Sequence, residues 1–297
     1  MKNVKAKTNE QIAMQVSANS IAVNLMLSIF KLIAGLMASS GAMISDAIHS
    51  ASDVFSTIIV IIGVKISGKA SDEDHPYGHD RFECVASIIL AILLGVTGVG
   101  IGLTGVQKLT AGHYDTLAVP GVLALAAAVI SIVVKEIMYW YTRNAAKKIN
   151  SGALMADAWH HRSDALSSIG AFIGIFGARL GYPILDPIAS IVICFMIAKA
   201  SIDIFRDAID KMVDHSCDAK TEESMKRENL KVPGVRRVDL LKTRLFGSKM
   251  YVDIEIAADG NISLRDAHDI AENVHHTIEN KFKDVKHCMV HVNPING

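Results

Sequence analysis

The sequence predicts a bundle of six membrane-spanning helices followed by a small cytoplasmic α+β domain. Of the 297 residues, 51% are hydrophobic, and the mean hydropathy of +0.32 is high for a water-soluble chain. Before about residue 208, six apolar stretches reach the roughly 20 residues that crossing a bilayer of ~30 Å requires. Beyond it, charged and apolar residues alternate as they do in soluble domains.

The predicted spans lie near residues 14–38, 41–65, 84–108, 117–141, 153–179 and 184–207. Lysine and arginine collect in cytoplasmic loops. Here they collect in the N-terminal tail (1–13) and in segments 65–82 and 142–150, which share one side of a six-span bundle. We therefore expect a six-helix membrane domain over 14–208 in a bacterial-type cell membrane, with both termini cytoplasmic. No removable signal peptide is expected, because the N-terminus is polar and basic.

Residues 209–297 are predicted to form the cytoplasmic domain, in the order helix, strand, strand, helix, strand. A charged helical segment is followed by strands at 236–246 and 249–257, a helix at 263–282 and a strand at 285–292. Ser263 is the expected N-cap of the second helix, with Asp266 in the capping-box position. A domain of this size has a modest core and often gains stability by dimerising.

Charge and cysteine content argue against a nucleic-acid-binding protein and against a disulfide-stabilised one. Lys plus Arg equals Asp plus Glu at 30 each, so no nucleic-acid partner is expected. The cysteines form no CxxC motif and are predicted to be free thiols rather than a disulfide framework; they are Cys84, Cys194, Cys217 and Cys288.

A repeated motif is the main functional signal. Residues 40–53 (SGAMISDAIHSASD) and 151–164 (SGALMADAWHHRSD) match at eight of fourteen positions, and each copy contains Asp-x-x-His-x-x-x-Asp. Residues four apart share one face of a helix, and ionisable groups inside a membrane are functional by default. Two imidazoles and two carboxylates suit a tetrahedral divalent-metal site. Its predicted ligands are His49, Asp53, His160 and Asp164.

The two copies are predicted to face each other. They lie 111 residues apart, on the second and fifth spans, so the second copy is inverted relative to the first. Inverted repeats place a transport site at their interface near mid-membrane. Asp46 and Asp157 then fall on opposite flanks, where we expect them to serve the ion's path rather than to coordinate it. A helix N-terminal or hydrogen-bonding role is the alternative.

Two lysines also lie in predicted spans. Lys135 is close to the cytoplasmic end of its span, where its side chain is expected to snorkel to the membrane surface. Lys31 is deeper, and either an ion pair or a structural role fits it.

The chain resembles the cation diffusion facilitator family of metal/proton antiporters. The resemblance is carried by DAIHSASD, DEDHPYGH, ADAWHHRSD and the terminal AHDIAE and VHVNP segments. It implies a homodimer with one transport site per protomer, a ferredoxin-like (metallochaperone-like) C-terminal domain, no resident cofactor and no enzymatic activity. It assigns the transport site to the four residues of the repeat.

The resemblance also implies a second metal site in the cytoplasmic loop, at Asp72, His75 and His79. The alternative is a solvated acidic loop in which Pro76 and Gly78 set a turn. The positions of Arg81 and Asp214 match an interlock that holds the dimer together in related proteins.

The C-terminal domain departs from the family pattern. Its matching positions are Asp239, Glu255, His268, His291 and Asn293, where Asn293 replaces a bridging carboxylate. The resemblance therefore implies a weak or mononuclear metal site, or none. Further candidates are His275, His276 and His287, whose alternative is an ordinary surface position.

Imidazole with carboxylate suits zinc, cobalt, iron(II) and cadmium, whereas all-oxygen sites suit manganese and magnesium. Two histidines in the motif favour zinc, with iron(II), cobalt, cadmium and manganese left open. Since ligands must be deprotonated to bind metal, protons and metal displace each other. A metal-dependent membrane hydrolase or oxidase and a non-transporting sensor or scaffold are the competing classes. The first lacks a candidate nucleophile, and the second does not require all four ligands.

Overall fold

The computed structural model describes residues 8–37, 41–111, 122–179, 182 and 184–295. It gives the backbone alone for 35, 41–46, 48, 49, 52, 111, 122–125, 127, 128, 170–179, 185 and 186. The chain divides into two compact units, Met1–Ala208 and Ile209–Gly297. The division falls in the last turn of a long helix.

Long helices build the first unit. In its described residues they are α1 (Asn9–Met37), α2 (Gly41–Ser67), α3 (Phe82–Ala111), α4 (Val122–Ile149), α5 (Gly152–Arg179) and α6 (Leu185–Met212). Three of the helices in the described chain are long and apolar enough to span a membrane, over Asn9–Ala34, Phe82–Thr110 and Pro187–Met212. The predicted helices are therefore present, and the crossing of the bilayer by α2, α4 and α5 stays a prediction.

One predicted boundary is wrong. The segment 142–150 was expected to be a loop, yet α4 continues to Ile149. Lysine and arginine are good helix formers, and Lys147 and Lys148 lie in the last turn, where positive charge stabilises the C-terminal end of a helix. Asn150 then ends the helix with a left-handed φ of 53°.

Close packing places α5 against its neighbours. In the first unit α1 contacts α2 and α4, while α5 contacts α2, α3 and α4. Small residues let helices approach: a Cβ on Gly63 of α2 would lie 2.4 Å from the Cβ of Ala86 on α3. The two copies of the repeat, on α2 and α5, are thereby brought to adjacent helices.

The second unit has the predicted order of elements. They are α7 (Ala219–Asn229), β1 (Arg237–Phe246), β2 (Lys249–Asp259), α8 (Leu264–Lys281) and β3 (Val285–Ile295). β1 pairs antiparallel with β2, and β2 pairs parallel with β3 through the α8 crossover. The predicted N-cap is confirmed, since the Ser263 hydroxyl accepts from the Asp266 amide at 3.2 Å.

One face of this sheet forms the core of the second unit. Along β2 the buried residues alternate, with Val252, Ile254 and Ile256 packed under α7 and α8. The four cysteines are free thiols, as predicted. Burial raises the pKa of the Cys288 thiol to about 12, so this side chain stays protonated at neutral pH.

Candidate metal centres

The structure brings three residues of the repeat together. Asp53 of α2 and His160 and Asp164 of α5 each offer a donor atom within 4.8 Å of the others. His160 Nε2 lies 3.4 Å from Asp53 Oδ1. Ligands on a tetrahedral zinc ion, with bonds of about 2.0–2.2 Å, lie roughly 3.4 Å apart. The three side chains thus have the spacing and the largely buried setting of a metal site.

In the first copy of the repeat, the structure describes only some of the side chains. His49 and Asp46 are on α2, before Asp53, but their side chains lie outside the described part of the chain. Their predicted roles, ligand for His49 and path residue for Asp46, stay predictions.

Lys135 is the residue that the sequence did not place correctly. Its side chain is 2% exposed, and its ammonium donates to Asp53 Oδ2 at 2.6 Å and to Asp164 Oδ2 at 2.8 Å. The expected snorkelling is therefore wrong: α4 carries the ammonium into the bundle, where the two carboxylates compensate a charge that would otherwise be costly to bury. The only signal in the sequence was a lysine, followed directly by Glu136, within a predicted span.

The second lysine is also buried. Lys31 of α1 is 2% exposed, and its ammonium donates to the Ser50 hydroxyl of α2 at 2.8 Å. Ser50 directly follows His49 in the chain, so Lys31 lies beside the first copy of the motif.

Asp157 lies apart from the three-residue group. It is fully buried on α5, where it accepts from the Thr57 hydroxyl at 3.2 Å and lies 3.7 Å from His161 Nε2. His161 in turn contacts the Ser20 hydroxyl at 2.6 Å. The Thr57 contact is a hydrogen bond between α2 and α5 that uses one oxygen of Asp157. The role of Asp157 on the ion's path stays a prediction.

The residues of the loop between α2 and α3 form a second group. Asp72, His75 and His79 have donors within 4.8 Å of one another. Asp72 Oδ1 lies 3.2 Å from His75 Nδ1, and Asp72 Oδ2 lies 3.4 Å from His79 Nε2. The His75 backbone N–H, at 2.7 Å, is the main cause that lowers the pKa of the Asp72 carboxyl.

A turn and a donor group coexist in this loop. The Gly78 N–H donates to the His75 carbonyl at 2.9 Å, and Gly78 has a φ of 91° that favours glycine. The Ala70 carbonyl lies 3.2 Å from His79 Nδ1. Since a carbonyl only accepts, Nδ1 carries a proton and Nε2 is the nitrogen that faces Asp72. The turn therefore positions the donors rather than competing with them.

The predicted interlock residues lie in different units. Arg81 precedes α3, and Asp214 follows α6 with a left-handed φ of 64°. Their pairing across a dimer stays a prediction.

The expected C-terminal site is not gathered in the same way. The Asn293 amide donates to Asp239 at 3.0 Å and to Glu255 at 3.3 Å. Hydrogen bonds from Arg237 first, and then from Asn293, lower the pKa of Asp239. His268 lies 3.9 Å from Glu272, one turn further along α8. His291 pairs with Glu255 in the β2–β3 register.

Among the described residues, three groups have three or more metal donors close together, and the expected set in the second unit is not one of them. The asparagine in place of a carboxylate fills this position with an amide that donates rather than coordinates. The third group is instead His275, Glu279 and His287.

The fold brings residues from the two copies of the repeat together in one metal-donor group, and the family models give the class, the metal cation efflux transporters. The model for the cation efflux transmembrane domain matches residues 17–213, and the model for the cation efflux protein cytoplasmic domain matches 217–295. The chain belongs to this family, the cation diffusion facilitators, and the resemblance read from its motifs is confirmed. It is a multi-pass membrane protein of a transporter family.

Full-length relatives agree with this assignment. An uncharacterised transporter of Methanocaldococcus jannaschii is 39% identical over 93% of this chain and 96% of its own length. The manganese efflux system protein MneP of Bacillus subtilis is 34% identical over 97% of this chain and 98% of its own length.

Among solved structures, the chain is similar to a cadmium form of a MamM C-terminal domain variant. The identity is 25%, the match covers 26% of this chain and 95% of that one, and the TM-score is 0.26.

Proposed function

We propose that the protein exports Zn²⁺ from the cytoplasm in exchange for protons, as a homodimer with one transport site per protomer. The supporting observation is the group of Asp53, His160 and Asp164, drawn from both copies of the repeat. His49 completes the proposed set from its position on α2.

The types of donor atom support zinc as the transported ion. Imidazole with carboxylate suits zinc better than manganese, which prefers oxygen ligands. A specific observation favours Mn²⁺ as the second candidate, because MneP and MneS of Bacillus subtilis, 34% and 33% identical, are named as manganese efflux proteins. Iron(II), cobalt and cadmium are further ions that the same donors accept.

Lys135 is the proposed internal competitor of the transported ion. Its ammonium is bonded to one oxygen of Asp53 and one of Asp164. An arriving divalent cation needs the same carboxylates and repels the ammonium at short range. Metal binding therefore weakens the two lysine contacts, and metal release restores them, so that the carboxylates keep a cationic partner in both states.

Proton exchange follows from ligand chemistry. A histidine coordinates metal through a deprotonated nitrogen, so binding releases protons and protonation on the outer side releases metal. The inverted arrangement suits alternating access, in which helices rock around a fixed site.

The cytoplasmic loop group is proposed as the point of first capture. Asp72 and His75 are exposed, while His79 is 6% exposed beneath them. This setting gives a solvent-facing site that can load without a change in the bundle. Arg81 with Asp214 and the C-terminal domain are proposed to hold the dimer together.

The test is metal uptake into reconstituted vesicles driven by a pH gradient, with Zn²⁺ and Mn²⁺ measured on the same preparation. Asp53→Asn keeps the size of the side chain and removes the charge. Asp203→Asn makes the same change at an exposed position of α6 and serves as the matched control.

The proposal predicts Zn²⁺ uptake that depends on the gradient, is lost in Asp53→Asn and is kept in Asp203→Asn. Uptake of Mn²⁺ in preference to Zn²⁺ would replace the ion and keep the site. Zn²⁺ uptake that is equal in both variants would show that the site is elsewhere.

A further inference from the structure

Two histidines and a glutamate meet at the outer edge of β3 in the second unit. His275 and Glu279 lie one turn apart on α8, His287 lies near the start of β3, and a donor from each falls within 4.8 Å of the others. We propose that these three residues bind a divalent transition metal that prefers imidazole and carboxylate, as zinc does. This site is separate from the transport site and does not depend on transport.

The donor spacing fits a tetrahedral ion. His275 Nε2 lies 3.2 Å from Glu279 Oε1, and His287 Nδ1 lies 3.4 Å from the same oxygen. Bonds of about 2.0–2.2 Å to a tetrahedral zinc ion separate neighbouring ligands by roughly 3.4 Å. The three side chains therefore need little rearrangement to share one ion.

The backbone of β3 orients two of the donors. The Cys288 carbonyl lies 2.8 Å from His275 Nδ1, and the Cys288 N–H donates to Glu279 Oε1 at 3.1 Å. A carbonyl only accepts, so Nδ1 of His275 carries a proton and Nε2 is the nitrogen that faces the cluster. Carbonyl contacts of this kind orient histidine ligands in metal sites generally.

Capping of the sheet edge accounts for two of the three residues. β3 is an edge strand of the sheet, and His275 with Glu279 satisfies its outward-facing backbone groups at Cys288. His287 approaches the same Glu279 oxygen at 3.4 Å, and its ring centroid lies 5.4 Å from that of His275 and 6.2 Å from that of Tyr251.

Exposure leaves space for a further ligand. The side chains of His275, Glu279 and His287 are 23%, 31% and 48% exposed. Three protein ligands leave one tetrahedral position, which water can fill from solvent. The Cys288 side chain is 1% exposed in the core and does not face this position.

A bound ion would join the last turns of α8 to β3, and ligands that bind only the folded state stabilise it by mass action. The second unit would therefore respond to cytoplasmic metal through its own site.

Zn²⁺ binding to the full chain in detergent tests the site. The parent carries Asp53→Asn and His75→Ala, which silence the other two donor groups, and bound Zn²⁺ is counted by equilibrium dialysis. His287→Ala and Glu279→Gln are then added separately. His276→Ala is the matched control, since His276 is the neighbouring histidine on α8, 65% exposed, and lies beside Glu272 instead.

We expect the parent and the His276→Ala chain to bind about one Zn²⁺ each at the edge of β3, and either cluster variant to lose it by at least ~tenfold in affinity. Equal binding by the parent and the His287→Ala chain would overturn the proposal. A Glu279→Gln chain that melts earlier but binds Zn²⁺ as the parent does would leave edge capping as the only role, and would also overturn it.

Discussion

Two donor groups use the same donor types in opposite settings. The buried cluster is Asp53, His160 and Asp164 on α2 and α5, and the surface cluster is His275, Glu279 and His287 on α8 and β3. The buried cluster shares its carboxylates with an ammonium that is 2% exposed, whereas the surface cluster is held by the backbone of Cys288. In the buried cluster an incoming charge must displace another charge. In the surface cluster it meets oriented donors and water.

This difference separates transport from binding. A buried site needs a compensating charge in every state, because an unpaired ion in low dielectric is costly. Lys135 provides that charge, and under the proposed function it makes metal occupancy a competition. The surface site needs no counter-ion, so its occupancy should follow cytoplasmic metal directly.

The largest expected effect comes from removing the competitor. Lys135→Met, which keeps the apolar stem and removes the charge, should raise Zn²⁺ affinity at the buried cluster by roughly tenfold or more, because displacing a paired ammonium no longer opposes binding. Titration calorimetry on the His75→Ala, His287→Ala chain measures this affinity. Lys135→Arg keeps the charge and is the control, and equal affinity in the Met and Arg variants would contradict competition.

The next largest effect is on the stability of α7, in the same unit as the surface cluster. The Asp218 side chain caps α7 by accepting from the Lys220 and Thr221 amides, both at 3.1 Å. Asp218→Ala should destabilise this helix by about 1 kcal/mol. Faster hydrogen exchange of the α7 amides is the readout. Zn²⁺ affinity at β3 should change far less, and a parallel loss of affinity would tie the cluster to α7.

Salt should distinguish the two clusters. Charges exposed to water are screened at high ionic strength, whereas buried ones are screened much less. Raising NaCl should weaken Zn²⁺ binding at the surface cluster by about two- to threefold and leave the buried cluster nearly unchanged. Equilibrium dialysis at two salt concentrations makes the comparison. The Asp53→Asn, His75→Ala chain reports on the surface cluster, and the His75→Ala, His287→Ala chain reports on the buried one. Equal salt dependence of Zn²⁺ affinity in the two chains would argue against the difference in burial.

The smallest effect is a pH dependence in the pairing of α7 with α8. Hydrogen bonds from Lys231 and Lys281 lower the pKa of Glu228 from 4.5 to about 2. Because the folded pKa is the lower one, this stabilisation is present above pH 4.5 and is lost as the pH falls toward 2.

Glu228→Gln should therefore lower the thermal midpoint of the second unit slightly at neutral pH, by less than the capping variant does. The gap should close in acid, and scanning calorimetry across pH measures it. A gap that widened in acid would reverse the assigned sign.

Local patterns in the sequence were sufficient for much of this molecule. Each copy of the repeat, the donor group of the loop and the Ser263 cap are short-range signals, because their residues lie close together in the chain. The order of elements in the second unit followed from the same kind of signal.

Long-range packing determined the rest. Lys135 reaches Asp53, 82 positions away in the chain, and the distance of that partner left snorkelling as the simpler expectation. His287 joins His275 and Glu279 only because the parallel pairing of β2 and β3 sets β3 beside α8. The last residues of α4 were predicted to be a loop, because lysine and arginine collect in cytoplasmic loops and Lys147 and Lys148 lie in this segment.

The central claim is that both copies of the repeat build one shared metal site. The direct measurement is the number of Zn²⁺ ions bound to the full chain carrying His75→Ala and His287→Ala, alone and with Asp53→Asn or Asp164→Asn. We predict about one Zn²⁺ in the first chain, lost equally by either substitution. Two ions, of which each substitution removes only one, would show two separate sites and contradict the account.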